Sequence, residues 1–238
     1  MREWQGRPLD RLYPTPVRET VVRLENRIEA RFPGRSLRQV AAELATLADD
    51  VAMGSATARR RMLVVRTVSR TLTAVVVVAA LVTLVFAFQD AGSAGPQRSF
   101  EWLALIESAV NDLIFAGLAV FFLYALPTRL ERRQILVLLH RLRSLAHIID
   151  MHQLTKDPER LRPEFRETPV SVDPDLDRAG MENYLDYCSE LLSLVGKVAA
   201  LCAEESQDPV ILDTVSTIET LTTGMSRKIW QKISLLAT

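Results

Sequence analysis

The chain has 238 residues and carries 29 basic against 29 acidic side chains, so its formal net charge is zero and no global positive field argues for nucleic acid. Its apolar content, 48 %, is concentrated in two runs, Thr71–Phe88 and Trp102–Leu126, which read as membrane spans. With both runs in a bilayer and about a dozen residues between them, a sizeable extracytoplasmic domain is excluded.

The N-terminus opens with Arg2, Glu3 and Trp4 and lacks the basic and apolar runs of a signal peptide, so the first span is expected to remain in the mature protein. Thr15-Pro16 reads as N-cap and first helical position. Val17, Val21, Leu24, Ile28 and Phe32 then recur at helical spacing until Pro33-Gly34. Ser36 and Gln39 form a capping box for a second helix with the stripe Leu37, Val40, Ala41, Leu44, Leu47 and Val51, expected to end near Gly54. Arginines from Arg18 to Arg38 alternate with Glu19, Glu25 and Glu29, which favours packing against other helices over lying on the inner leaflet. Residues 1–58 are thus expected to be cytoplasmic amphipathic helices.

Residues 59–127 form the expected transmembrane hairpin. Ala79, Thr83 and Ala87 give the first span a small-xxx-small face, and Gly92, Gly95 and Pro96 in the loop Gln89–Ser99 turn the chain back. Arg59, Arg60, Arg61, Arg66 and Arg70 precede the first span, and Arg129, Arg132, Arg133, Arg141 and Arg143 follow the second. Between the two spans the charged residues are Asp90, Arg98 and Glu101. The positive-inside rule places both termini in the cytoplasm, with the arginines against anionic headgroups.

Pro127 permits a change of direction into a juxtamembrane helix, residues 128–161, with Ile135, Leu138, Leu142, Leu145 and Ile149 on its seam. Pro163 and Pro169 mark 162–173 as a linker. Residues 174–238 read as a helical hairpin. Asp173-Pro174 starts one helix, running to about Glu204, with Leu176, Tyr184, Tyr187, Leu191, Leu194, Val198 and Leu201. Asp208-Pro209 starts the other, with Ile211, Val215, Ile218, Leu221, Met225, Ile229, Ile233 and Leu236. The expected fold is therefore an all-α membrane protein, a two-helix transmembrane hairpin with a cytoplasmic helical bundle.

Polar groups in a span are functional candidates. With Glu107 at zero on a helical wheel, Asn111 lies at about 40°, Ser108 at about 100° and Asp112 at about 140°, one sector that continues into Phe115 and Leu118. Lining an oligomer axis, this face would form a cation-attracting mouth above an apolar constriction. The alternatives are polar contacts between helices or solvation at the interface. His140, His147 and His152 fall in thirteen residues with Asp150 and invite a metal or pH-sensing reading. His152, however, points about 130° from the other two, so interhelical hydrogen bonding with Asp150 and Thr155 is preferred. Cys188 and Cys202 lie about 21 Å apart along one helix, beyond disulfide reach.

The segments LRSLAHIIDMHQLTKDP at Leu142–Pro158, YLDYCSELLSL at Tyr184–Leu194 and TTGMSRKIWQKI at Thr222–Ile233 resemble a bacterial family of two-span proteins without an assigned activity. That resemblance implies a bacterial inner-membrane placement and brings no catalytic residues. In architecture the chain is also similar to two-span effector modules of bacterial conflict systems, thought to perforate membranes. No phosphate loop, nucleophile elbow or zinc-peptidase helix is present, and neither an enzyme nor a cofactor is expected. The leading expectation is a homo-oligomeric channel or pore through the second span. The competing one is a membrane-anchored adaptor whose cytoplasmic bundle binds a protein partner.

Overall fold

The computed structural model describes residues 10–94, 99–161, 164–166, 168–169, 171, 175–204 and 206–237. In its helices, the side chains of 53–62, 87–88, 90–94, 99–105 and 237 lie outside that description, as do the expected loop residues Gly95 and Pro96 and the linker's Pro163. The described residues are helical, with no strand. In chain order the helices are α1 (Pro14–Arg31), α2 (Ser36–Ala94), α3 (Ser99–Leu154), a single 3-10 turn (Pro158–Leu161), α4 (Arg178–Ala203) and α5 (Pro209–Ala237). They divide into two compact units, one made of Met1–Ala56 with Gln134–Thr238 and the other of Thr57–Arg133.

The first unit is a helical bundle with one apolar core. Val17, Val21, Leu24 and Ile28 of α1 are buried as their spacing predicts, and so are Leu37, Val40, Ala41, Leu44 and Leu47 of α2. From α3 come Leu139, Leu142, Leu145, Ala146 and Ile149, a seam that uses Leu139 where the periodicity favours Leu138. The middle of the bundle is α4, which packs along the length of α5 and against α1. It buries Leu185, Cys188, Leu192, Val195 and Ala199 besides the stripe that the sequence pattern picks out, because a helix enclosed on several sides has no polar face to spare. Phe32, just after α1, sets its ring edge-on to Tyr184 and Tyr187 of α4, with centroids 5.5 and 6.0 Å apart. Ion pairs fasten the rim. Arg27 grips Glu190 through two bonds of 2.7 and 3.0 Å, and Arg141 holds Glu43 at 2.8 Å and Asp50 at 3.3 Å.

Four helix ends differ from those expected. Helix α1 begins at Pro14, not Pro16, since two prolines in a first turn sacrifice no hydrogen bond. Helix α4 starts at Arg178, later than Pro174, because the Asp177 carboxylate accepts from Gly180 N at 2.7 Å and supplies the cap. Helix α2 does not end near Gly54 but continues to Ala94. One interior glycine costs about 1 kcal/mol relative to alanine, and no proline lies between Ser36 and Ala94 to enforce a stop. Helix α3 likewise continues through Pro127.

The second unit is a pair of apolar helices. Helix α2 over Leu63–Phe86, and the corresponding part of α3, are each long and apolar enough to cross a membrane. Their mutual seam is narrow: Val65, Ser69, Thr73, Val76 and Ala80 on α2, and Ala109, Ala116, Ala119, Val120, Leu123, Ala125 and Pro127 on α3, are the described apolar-stretch positions that lose exposure. The seam also explains how α3 survives its proline. Pro127 has no N–H to give the carbonyl of Leu123, and the hydroxyl of Ser69, itself buried, donates to that carbonyl instead.

Candidate functional site: the polar face of the second apolar helix

Glu107, Ser108, Asn111 and Asp112 are all exposed on α3, and so are Phe115 and Leu118 further along the same face. Ala116 and Leu123 lie at about 180° and 160° on the wheel that has Glu107 at zero, so Glu107 and Asn111 are turned well away from the seam, while Asp112, at about 140°, borders it and is exposed all the same. The apolar remainder is bare as well, with Leu113 at 72 % and Phe115 at 69 % exposure. Polar and apolar positions thus share one uncovered cylinder. On α2, Ala79 and Thr83 of the small-xxx-small face are also exposed, so that face does not close the pair. The side chain of Ala87 lies outside the description.

Depth along the helix follows from its rise. From Pro127, fifteen residues reach Asp112 at about 22 Å, and twenty reach Glu107 at about 30 Å. In a hydrocarbon layer about 30 Å thick beginning at Pro127, Glu107 would stand at the far boundary and Asp112 about 8 Å inside it. The near end is marked by exposed Arg66, Arg70, Arg129, Arg132 and Arg133, with Arg66 paired to Glu131 at 3.4 Å. The earlier arginines, Arg59 to Arg61, and Trp102, where the second apolar run begins, fall among side chains outside the description.

The histidine segment resolves differently from its sequence pattern. His140 and His147 are exposed on α3. His152 is half-buried and pairs through Nδ1 with the Tyr184 hydroxyl of α4 at 3.1 Å. The interhelical bond is there, but with a partner other than Asp150 or Thr155: Asp150 accepts from Gln153 at 2.7 Å, and Thr155 donates to the His152 carbonyl at 3.0 Å. Among the described residues no three His, Cys, Asp or Glu side chains converge as metal ligands. Burial, and secondarily Lys156, hold the His152 imidazole below its ordinary range, and burial raises the Tyr184 phenol, so this pair is neutral.

Lys232 of α5 was not marked by any sequence pattern, yet it organises this corner. Its ammonium donates to the carbonyls of Gln153 and Lys156 at 2.9 and 3.1 Å, a charged donor at the C-terminal end of α3, where the Gln153 carbonyl also accepts from Lys156 N–H. Cys188 and Cys202 are free thiols, each pushed up to about 12 by burial. No protein-family model matches the chain, and neither a curated protein nor a solved structure shows significant similarity to it.

Proposed function

We propose that the protein is an integral protein of a bacterial inner membrane, with both termini cytoplasmic, that assembles from several copies into an ion path lined by the polar face of α3. One observation carries this reading: Glu107, Ser108, Asn111 and Asp112 are exposed together on a helix whose other outward positions are apolar. A carboxylate left facing lipid costs about 2.5–3.5 kcal/mol at the middle of a bilayer, less nearer its edge, and a second copy or a water column removes that cost. Carboxylates at the mouth followed by Phe115 and Leu118 give an acidic ring above an apolar collar, which attracts cations and can close by dewetting. The reading does not call for catalysis or a cofactor.

The test is water accessibility in membranes. Single cysteines at Ser108, Asn111, Phe115 and Leu118, and at Val110 and Leu113 on other faces, are placed in a background lacking Cys188 and Cys202 and exposed to a membrane-impermeant thiol reagent. Labelling that follows the polar face down to Phe115, with Val110 and Leu113 protected, supports the path. Protection of every position below Ser108 defeats it. The second reading, a membrane-anchored adaptor, is favoured by the bundle's exposed Met151, Leu154 and Trp230. It would leave partner binding unaffected by any change in the polar face.

A further inference from the structure

In the bundle Arg18, Arg27, Arg35, Arg38 and Arg141 each hold a carboxylate. At the end of the apolar pair the arginines are clustered. Arg66 has Glu131, but Arg70, Arg129 and Arg133 are exposed and make no ion pair or hydrogen bond among the described residues. Arg129 and Arg133 are one turn apart, about 6 Å in rise and 40° around α3, so their side chains leave the same stripe of the helix. Two like charges in that relation repel weakly, and an anion between them turns the repulsion into two attractive contacts. The guanidinium fork matches the geometry of a phosphate, which it binds through parallel N–H donors. Both side chains sit within two turns of Pro127, at the border where the exposed apolar surface ends.

We infer that Arg129 and Arg133 form a binding surface for the phosphate of an anionic phospholipid headgroup. The inference rests on the membrane reading above. The occupant is a lipid because the pair adjoins a bare apolar helix surface: a headgroup held by the two arginines lays its acyl chains along Leu126 and Phe122, which are exposed on α3, while a soluble phosphate gains nothing there. Arg70 supplies a further unpaired charge on α2 at the same end.

The experiment titrates the detergent-purified full-length protein with fluorescent phosphatidylglycerol and with fluorescent phosphatidylcholine, with inorganic phosphate as competitor. The expected result is tighter binding of phosphatidylglycerol, weakened by salt, and a loss of about 25-fold in the double variant R129Q/R133Q, at about fivefold per arginine. R178Q/R227Q removes the same charge from the bundle surface and should leave the affinity unchanged. Equal affinities for the two lipids, or undiminished phosphatidylglycerol binding by R129Q/R133Q, overturn the inference. Full displacement by millimolar inorganic phosphate overturns the lipid assignment in favour of a soluble anion. Alkaline carbonate extraction of membranes separates this from the parent reading. Release of the protein defeats membrane insertion itself, whereas retention with no lipid preference defeats only the headgroup surface.

Discussion

Lys232 shows how much one side chain can do at a helix end. Its partners are backbone carbonyls at the close of α3, 79 and 76 positions earlier in sequence, and no local pattern could announce the contact. Replacing it by methionine keeps the aliphatic stem but removes both donations, so K232M is expected to lose about 1–2 kcal/mol of bundle stability, read from denaturant midpoints in detergent. His152 offers a second test, through pH. Its imidazole is held below the ordinary value of 6.5 by burial and by Lys156, so the folded state resists a proton that the unfolded chain accepts. Above pH 6.5 the group contributes nothing, and as pH falls below 6.5 towards the folded pKa, stability declines because the unfolded state binds more protons. The midpoint should therefore drop between pH 7.5 and 5.5, and H152Q should flatten that part of the curve. A sequence reader finds the three histidines at once. What escapes is Tyr184, which lies 32 positions away and gives His152 its environment.

At the scale of the element, periodicity was a good guide wherever one face of a helix meets the core. Nearly every position of the stripes on α1, α4 and α5 is buried, with Leu176 and Leu221 only partly so. It was a poorer guide to where helices stop. Gly54 and Pro127 are the strongest local punctuation in their segments, and both helices run through them. For Pro127 the compensation is a specific contact: the carbonyl of Leu123, deprived of its helical donor, takes the hydroxyl of Ser69 from α2. Such a contact joins two helices 54 positions apart and cannot be read from either alone. Ser69→Ala removes the only feature of that residue which the seam does not already obtain from packing. The expected cost is about 0.6–1.7 kcal/mol, the range for hydrogen bonds between helices in a bilayer. The cost should vanish in the background Pro127→Ala, where the backbone donor is restored. A double-mutant cycle on the unfolding of the membrane-reconstituted protein measures the coupling, and additive effects of the two substitutions would refute the compensation.

For the whole molecule, the two units obey opposite rules of burial. The bundle hides Leu, Ile and Val and exposes its charges, while Thr57–Arg133 exposes most of its apolar side chains among those described. A surface of that kind calls for a partner phase, and under the proposed membrane reading a bilayer would supply it for everything except the polar sector of α3. The sequence showed which four residues form that sector. It could not show which of two apolar faces closes against α2. Ala116, Val120 and Leu123 take that seam, and Asp112 borders it yet is exposed, so under the proposed membrane reading it meets either a neighbouring copy or water. The two fates respond in opposite ways to a reversed charge. In an aqueous mouth, Asp112→Lys presents a ring of ammonium groups to the ions, so cation selectivity should fall or invert in planar-bilayer recordings while the oligomer persists on crosslinking. In a dry helix contact the same lysine is unpaired and costs on the order of 2.5–3.5 kcal/mol at most, so the oligomer should dissociate. Asp112→Asn completes the discrimination. It preserves a contact that needs only hydrogen bonding, but it removes the charge that concentrates cations, and so it should lower conductance with assembly intact. Unchanged selectivity and conductance in both variants would remove Asp112 from the path and return the polar sector to the role of a helix contact.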